Sequence, residues 1–323
     1  MAGISPTAWE HPADKAALAL LRRTGGLGDL VGMLVGGTTE RSIRLIHVAN
    51  SVKVTPTQFP RVKHMVDRGA DILDAPSTPD VFVANSPFFN AGAYGVKEPF
   101  IVIESATLRM LDDDELYCVV AHELGHVLSG HALYKTVLWL LVSLTTTALP
   151  IAGILMGPLM LALHEWDRKS ELTADRAALL ALQAETPNYQ VLMKMAGGED
   201  LAQMNVDDFF RQAREYVEQK SLLDGVYKLL NTMHRSHPFP VIRLEELHAW
   251  ATSGAYRAIL DGSYRRRGTE TTDPAGDVRE GAAYYQGAAE KSGDQVRNTV
   301  RQARDTIGRA AEGLKDAVKD ILK

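Results

Sequence analysis

Two histidines separated by four positions are the residues in this chain best suited to chemistry. The segment from Ala121 to His126 reads Ala-His-Glu-Leu-Gly-His. In a helix, His122 and His126 lie on one face, one turn apart, so both imidazoles can reach a single metal ion. Glu123 then lies beside that ion, where a carboxylate can take a proton from metal-bound water. The motif predicts a hydrolytic zinc site; the alternative is a chance match in which Glu123 is merely solvated.

The surrounding residues predict the helix that this spacing requires. Residues 112–115 supply a capping residue and acidic charge for a helix N-terminus. Apolar residues then recur at helical spacing: Leu116, Val119, Val120, Leu124 and Val127. Cys118, the only cysteine, lies one turn before His122 and could offer sulfur. A buried thiol is the preferred interpretation, because catalytic zinc keeps one position open for water. A single cysteine also excludes an intrachain disulfide and favours a reducing compartment.

A third ligand must come from elsewhere in the chain. A metzincin-type site with three histidines needs Gly and His seven and ten residues after His122, and those positions hold Ser129 and Ala132. His131 is one residue out of register for that pattern. A gluzincin site instead takes its third ligand, usually a glutamate, from a second helix.

Residues 170–175, Ser-Glu-Leu-Thr-Ala-Asp, offer such a glutamate. Glu171 can bind zinc, and Asp175, one helical turn later, can accept the spare N–H of a ligating histidine. Glu165 and Asp167 are competing ligands at the edge of an apolar run. Without the histidine motif nearby, a solvated acidic face would be the preferred interpretation of these residues.

Three motifs in order resemble a known family. They are His-Glu-Leu-Gly-His at 122–126, Glu-Leu-Thr-Ala-Asp at 171–175 and His-Pro-Phe-Pro-Val-Ile-Arg at 237–243. With Asn90–Gly95 and Phe100–Ile103, they resemble the zinc metallopeptidase family of HtpX and the CAAX prenyl endopeptidases, over roughly residues 40–250.

This resemblance implies one Zn²⁺ per chain, held by His122, His126 and Glu171, with Glu123 as general base. It also implies that two later residues help to stabilise the tetrahedral intermediate: His237 and Arg243. A small sheet is implied before the active-site helix, and its edge strand can pair with an extended peptide. The residues expected to hold substrate there are Asn90, Ala91, Gly92 and Ala93. A plain hairpin loop fits the same stretch nearly as well.

The predicted fold class is α+β and mainly helical, a gluzincin-type domain with a small β-sheet. Helices are predicted at 13–24, from Pro60 to about Leu73, and within 186–232. Strands are predicted within Ser42–Val54, at Val81–Val83 and at Phe100–Ile103.

The run from Thr136 to Leu163 carries no charge and is interrupted by Pro150. A single membrane crossing would separate His126 from Glu171, which must share one ion. Each half, as a helix of about 20 Å, is too short to span a bilayer. The preferred interpretation is an apolar hairpin dipping into one leaflet, with Trp139 and Trp166 as interfacial aromatics. A hairpin buried against protein is the alternative.

The composition divides the chain into an N-terminal helical segment at 1–40, the metallopeptidase domain at 41–260, a polar linker at 261–285 and an amphipathic helical tail at 286–323. The tail suits pairing with a partner helix or a membrane surface. We read no signal peptide and none of the two N-terminal membrane helices usual in HtpX, and expect a membrane-associated location on the cytoplasmic side. A net charge of −5 gives no reason to expect nucleic acid.

The sequence therefore predicts a zinc-dependent endopeptidase that acts on polypeptides, with membrane-associated protein quality control as its candidate setting. Two alternatives stay open. One is a membrane-associated adaptor with a non-catalytic zinc site. The other is a binding module that acts through the C-terminal helix, with a regulatory protease domain.

Overall fold

The computed structural model describes residues 1–22, 31, 38–147, 150–218, 239–269, 276, 279 and 281–284. The α-helices are α1 (Pro12–Arg22), α2 (Thr38–Asn50), α3 (Pro60–Ile72), α4 (Ser105–Met110), α5 (Asp113–Leu128), α6 (His131–Thr147), α7 (Pro150–Leu182), α8 (Glu185–Gly197), α9 (Val206–Glu218), α10 (Pro240–Thr252) and α11 (Ala255–Leu260). The strands are β1 (Ser51–Lys53), β2 (Asp80–Ala84), β3 (Ala91–Tyr94) and β4 (Phe100–Glu104). The predicted class, α+β and mainly helical, is confirmed.

The four strands form one mixed sheet in the order β1-β2-β4-β3. β2 and β4 run parallel, and each is flanked by an antiparallel neighbour. Successive side chains of a strand point to opposite faces. One face therefore contributes Val81, Val83, Ile101 and Ile103 to the main core with α3 and α5. The other face presents Phe82, Phe100 and Val102 to Ile43 of α2. β3 lies at the edge, where the substrate strand was expected.

The prediction of strands within 42–54 is wrong for most of that range. Residues up to Asn50 form α2, and only Ser51–Lys53 form a strand. β-branched residues favour strands weakly, and packing routinely overrides that preference. Here Ile43, on the inner side of α2, is buried against Phe82 and Phe100. Among the described side chains of α2, Ile43 is the buried one, and it fixes the helix against the sheet.

The helix that carries the histidine motif, α5, packs directly against α7, which carries Glu171 and Asp175. α5 begins with a capping box in which the Asp112 side chain accepts from the Glu115 N–H and the Glu115 carboxylate accepts from the Asp112 N–H. The two helices meet at Gly125, where a Cβ would lie 2.6 Å from the Cβ of Ala177. Only glycine permits this approach without a backbone shift. The glycine of the histidine motif therefore helps to bring both motifs to one point.

The apolar run at 136–163 falls on α6 and the start of α7. Val137, Leu141 and Leu163 are buried in a cluster with Leu18 and Leu21 of α1. Trp166 belongs to the same cluster and is 1% exposed, so its expected place at a membrane interface is wrong. Trp139 is 41% exposed. Among the residues that the structure describes, no helix has both the length and the hydropathy that a membrane crossing needs.

The predicted polar linker, 261–285, is described in part and contacts the N-terminal residues. Arg266 forms a β-bridge with Ile4, and the Arg267 guanidinium pairs with the Asp74 carboxylate. Further on, the Tyr284 ring packs edge-on against His11. These contacts tie the described part of the segment to the main body. The predicted helical tail, 286–323, lies outside the described residues.

Candidate metal centre

Three buried side chains from α5 and α7 converge on one point. His126 Nε2 lies 3.2 Å from His122 Nε2 and 3.1 Å from Glu171 Oε1. His122 Nε2 lies 3.3 Å from Glu171 Oε2. The structure thus brings together the three residues that the motifs indicated as metal ligands.

The arrangement fits zinc. Tetrahedral Zn²⁺ with bonds of about 2.0–2.2 Å holds its ligand atoms about 3.3–3.6 Å apart. The observed separations of 3.1–3.3 Å are close to this geometry. Two imidazole nitrogens and one carboxylate are also a donor set that zinc prefers in catalytic sites, where a fourth position stays open. His122, His126 and Glu171 could therefore hold one zinc ion.

Asp175 orients the first histidine. Its Oδ1 lies 3.0 Å from His122 Nδ1, which leaves Nε2 to face the metal position. Arg243, from α10, donates through Nε to Asp175 Oδ2 at 2.8 Å and pairs with Glu171 Oε2 at 3.2 Å. Burial raises the pKa of Asp175, but the charge and hydrogen bonds of Arg243 and the His122 bond outweigh burial and hold that pKa below its ordinary value. Asp175 is therefore an ionised partner of His122.

Arg243 was expected to stabilise the reaction intermediate. In the structure it is buried, and its guanidinium is held by Asp175 and Glu171. This contact supports a role in orienting both carboxylates. A direct contact with the intermediate stays a prediction. His237, its expected partner, lies outside the described residues.

Lys135 is a functional residue that the sequence analysis did not single out. Its ammonium, from α6, donates to Glu171 Oε1 at 2.8 Å and pairs with Asp167 at 2.7 Å. Burial lowers its pKa, but the Asp167 and Glu171 carboxylates more than compensate and the pKa is raised. Lys135 therefore stays charged and fixes the carboxylate that would bind the metal.

The competing ligands do not reach the centre. Asp167 points to Lys135, and Glu165 pairs with Arg168 and Lys169 at the helix surface. Cys118 is buried and donates to Asn188 Oδ1 at 3.0 Å, and burial raises the pKa of its thiol. The interpretation of Cys118 as a buried thiol fits this position better than a fourth ligand does.

A cleft of about 70 Å³ opens beside two of the three ligands, His122 and Glu171. Glu123 lines this cleft together with His122 and Glu171, and Asn90 and Ala91 line its other side at the start of β3. Burial, and then the charge of Glu123, raises the pKa of Tyr94 of β3 to about 12. Glu123 and the sheet edge therefore face one space, large enough for a few water molecules.

His131, rejected as a third ligand by counting, still touches the centre. Its Nδ1 lies 2.9 Å from His126 Nδ1, on the side of the ring away from the metal position. The available sequence signal was a histidine five residues after the motif, at the start of α6. That spacing excludes metal ligation but does not show which ring nitrogen of His126 it meets.

Comparisons with known proteins agree with this geometry. The family model described as Peptidase family M48 matches residues 56–251. The chain is 36% identical over 263 residues to "Plastoglobule-localized metallopeptidase 48, chloroplastic" of Arabidopsis thaliana, covering 80% of this chain and 76% of that one. It is 23% identical over 205 residues to a "Protease HtpX homolog" of Helicobacter pylori, which covers 52% of this chain and 60% of the protease. No solved structure matches the chain at a comparable level of significance.

Proposed function

The chain belongs to peptidase family M48 and is a metalloprotease, and from that premise we propose that it is a zinc-dependent endopeptidase acting at the cleft beside Glu123. The observation that carries this proposal is the separation of 3.1–3.3 Å among the His122, His126 and Glu171 donor atoms, with Glu123 lining the same cleft. When bound, zinc supplies Lewis acidity that polarises a carbonyl group and lowers the pKa of a water molecule to about 7.

The chain's own residues divide the remaining work. The Glu123 carboxylate accepts the proton of the attacking water and passes it to the leaving amine. Asp175 holds His122 in the tautomer that leaves Nε2 free. Lys135 pairs with Oε1 of Glu171 and Arg243 with Oε2, so each oxygen has a cation beside it. His237 and Arg243 are proposed to donate hydrogen bonds to the oxyanion as it develops.

The substrate is proposed to bind along β3. Among the described strands β3 pairs with β4 at the end of the sheet, and its outer edge is the one proposed to pair with an extended peptide. Asn90 itself is anchored, because its carbonyl accepts from the Thr107 hydroxyl at 2.8 Å and from the Glu104 N–H at 3.0 Å. A peptide paired with Ala91, Gly92 and Ala93 would place a carbonyl near Glu123.

Removal of the metal is the test of this function. The purified protein should contain about one zinc per chain and cleave casein, since the three ligands form one site. Treatment with 1,10-phenanthroline should abolish cleavage, and Zn²⁺ added after dialysis should restore it. Zinc content by atomic emission and casein cleavage are measured on the same samples. A metal-free protein that keeps full activity would contradict the proposal.

We also propose that the uncharged residues at the end of α6 and the start of α7 contact a membrane surface. Parts of both helices belong to the protein core, because Val137 and Leu141 of α6 and Leu163 of α7 are buried. This burial narrows the proposed contact to residues 144–158, which carry no charge in the sequence and whose side chains lie outside the described residues. Membrane-associated protein quality control is the setting that would follow.

Binding to lipid vesicles tests this contact. The wild-type protein should float with vesicles of phosphatidylcholine and phosphatidylglycerol, and a variant with residues 144–158 replaced by a short Gly/Ser linker should remain in the soluble fraction. The matched control, Leu45→Ser with Ile46→Ser, removes apolar surface that is about half exposed elsewhere, on α2. It should still float. Wild-type protein that stays soluble beside vesicles would refute the membrane contact without affecting the protease assignment.

A further inference from the structure

A buried chain of contacts leads from the second histidine ligand to the N-terminal helix. His126 Nδ1 meets His131 Nδ1 at 2.9 Å, and His131 Nε2 meets Asp14 Oδ2 at 3.0 Å. All three residues are at most 2% exposed. Water therefore does not compete for these contacts. Asp14 lies in α1, outside the residues 56–251 that the family model matches.

The N-terminal segment is fixed against the second motif at this point. The His11 N–H donates to Thr173 Oγ1 at 2.9 Å, and the Thr173 hydroxyl donates to Asp14 Oδ2 at 2.6 Å. Thr173 lies between Glu171 and Asp175 on α7. The ring of His131 also packs edge-on against Trp166, with ring centroids 5.6 Å apart. The carboxylate of Asp14 is thus held at a defined position beneath the centre.

The two ring nitrogens of each histidine have different partners. These partners determine which nitrogen carries the hydrogen. A histidine that binds metal through Nε2 is neutral and carries its hydrogen on Nδ1. His126 Nδ1–H therefore donates, and His131 Nδ1 accepts. His131 then carries its hydrogen on Nε2, the nitrogen that lies 3.0 Å from Asp14 Oδ2. For His122 the same role is filled in one step, because its Nδ1 meets Asp175 directly.

We propose that Asp14 and His131 are positioning residues of the metal centre: Asp14 fixes the tautomer of His131, and His131 orients His126 for the metal. This inference rests on the proposed function, since it needs a metal on His126. It makes the N-terminal helix α1 a working part of the centre. The first ligand has its carboxylate on the neighbouring helix, and the second has its carboxylate on a segment more than a hundred positions earlier in the chain.

Zinc affinity of the full-length protein, measured by competition with a chelator, tests the relay. Loss of such an outer partner typically costs about 10–100-fold in metal affinity. His131→Phe and Asp14→Ala should each fall in that range, because neither leaves a hydrogen-bond acceptor in place. His131→Gln and Asp14→Asn should recover part of the loss, since an amide oxygen still accepts. The double variant Asp14→Ala with His131→Phe should bind zinc no more weakly than His131→Phe alone.

A control separates orientation from simple docking of the segment. Glu246→Gln weakens the contact of Glu246 with His11, 3.3 Å long, without touching His131 or Asp14. Melting of the metal-free protein is followed alongside. Glu246→Gln should lower the melting temperature and leave zinc affinity unchanged, whereas Asp14→Asn, which keeps an acceptor for Thr173, should lower affinity with little change in melting.

Two results would overturn the proposal. One is wild-type zinc affinity in Asp14→Ala and His131→Phe. The other concerns Glu246→Gln. The proposal would fail if this variant lowered zinc affinity as much as the Asp14 and His131 variants do when it lowers the melting temperature by the same amount. A wild-type protein that binds no zinc would instead refute the proposed function. The two failures are therefore distinguishable.

Discussion

Replacing Glu123 by glutamine should leave zinc bound and lower turnover by about 10²–10⁴-fold, the usual contribution of a general base. Glu123 lines the cleft but is not one of the three clustered ligands. The amide of glutamine keeps the size of the side chain and cannot accept the proton. Zinc content and casein cleavage of the variant are compared with those of the wild type.

A matched control uses the same change on the same helix. Glu115 lies about two turns before Glu123 on α5, where it accepts from Lys194 at 2.7 Å and completes the capping box. Glu115→Gln should reduce thermal stability and leave turnover per folded molecule unchanged. If Glu123→Gln kept wild-type turnover, the general base would be another residue. If the wild type bound zinc but cleaved nothing, the adaptor with a non-catalytic zinc site would be the better interpretation.

The sequence predicted those parts of the site whose residues lie one helical turn apart in the chain. His122 and His126 are one turn apart, and so are Glu171 and Asp175, so each pair shares a helix face whatever the rest of the chain does. The resemblance to a family then indicated that residues of both helices bind the same metal ion. Gly125 shows how they come together: the close approach to Ala177 is a packing requirement that the motif states as a residue type.

The contacts that the sequence did not predict are long-range. Asp14 and His131 are far apart in sequence and belong to no shared motif, and Lys135 reads as an ordinary charge at the start of an apolar run. Their roles appear only when α1, α6 and α7 are packed together. Long-range packing also explains why α2 is a helix although its β-branched residues predicted strands. Ile43 of α2 is buried against the sheet. The preference of individual residues for strand or helix has little effect where packing of one buried face determines the secondary structure.

Glu171→Ala should lower zinc affinity at least as severely as His126→Ala, by more than about the 100-fold that marks the upper range for outer partners. Each variant leaves two protein ligands. The two should differ in the metal-free protein. Glu171 is 1% exposed and pairs with both Lys135 and Arg243, so its removal leaves two buried cations short of a carboxylate. Glu171→Ala should therefore also melt at a lower temperature without metal.

Three further variants make the assignment of the third ligand decisive. Glu171→Gln keeps the volume and removes the charge, so it should lose zinc even if Glu171→Ala folds poorly. Asp175→Asn should weaken zinc binding by about 10–100-fold, because Asp175 orients His122 and Arg243 but does not contact the metal position. Glu165→Gln should bind zinc like the wild type, since that carboxylate pairs with Arg168 and Lys169. Full zinc occupancy in Glu171→Gln would mean that the third ligand lies elsewhere, because the separation of 3.1 Å between His126 Nε2 and Glu171 Oε1 would then reflect hydrogen bonding alone.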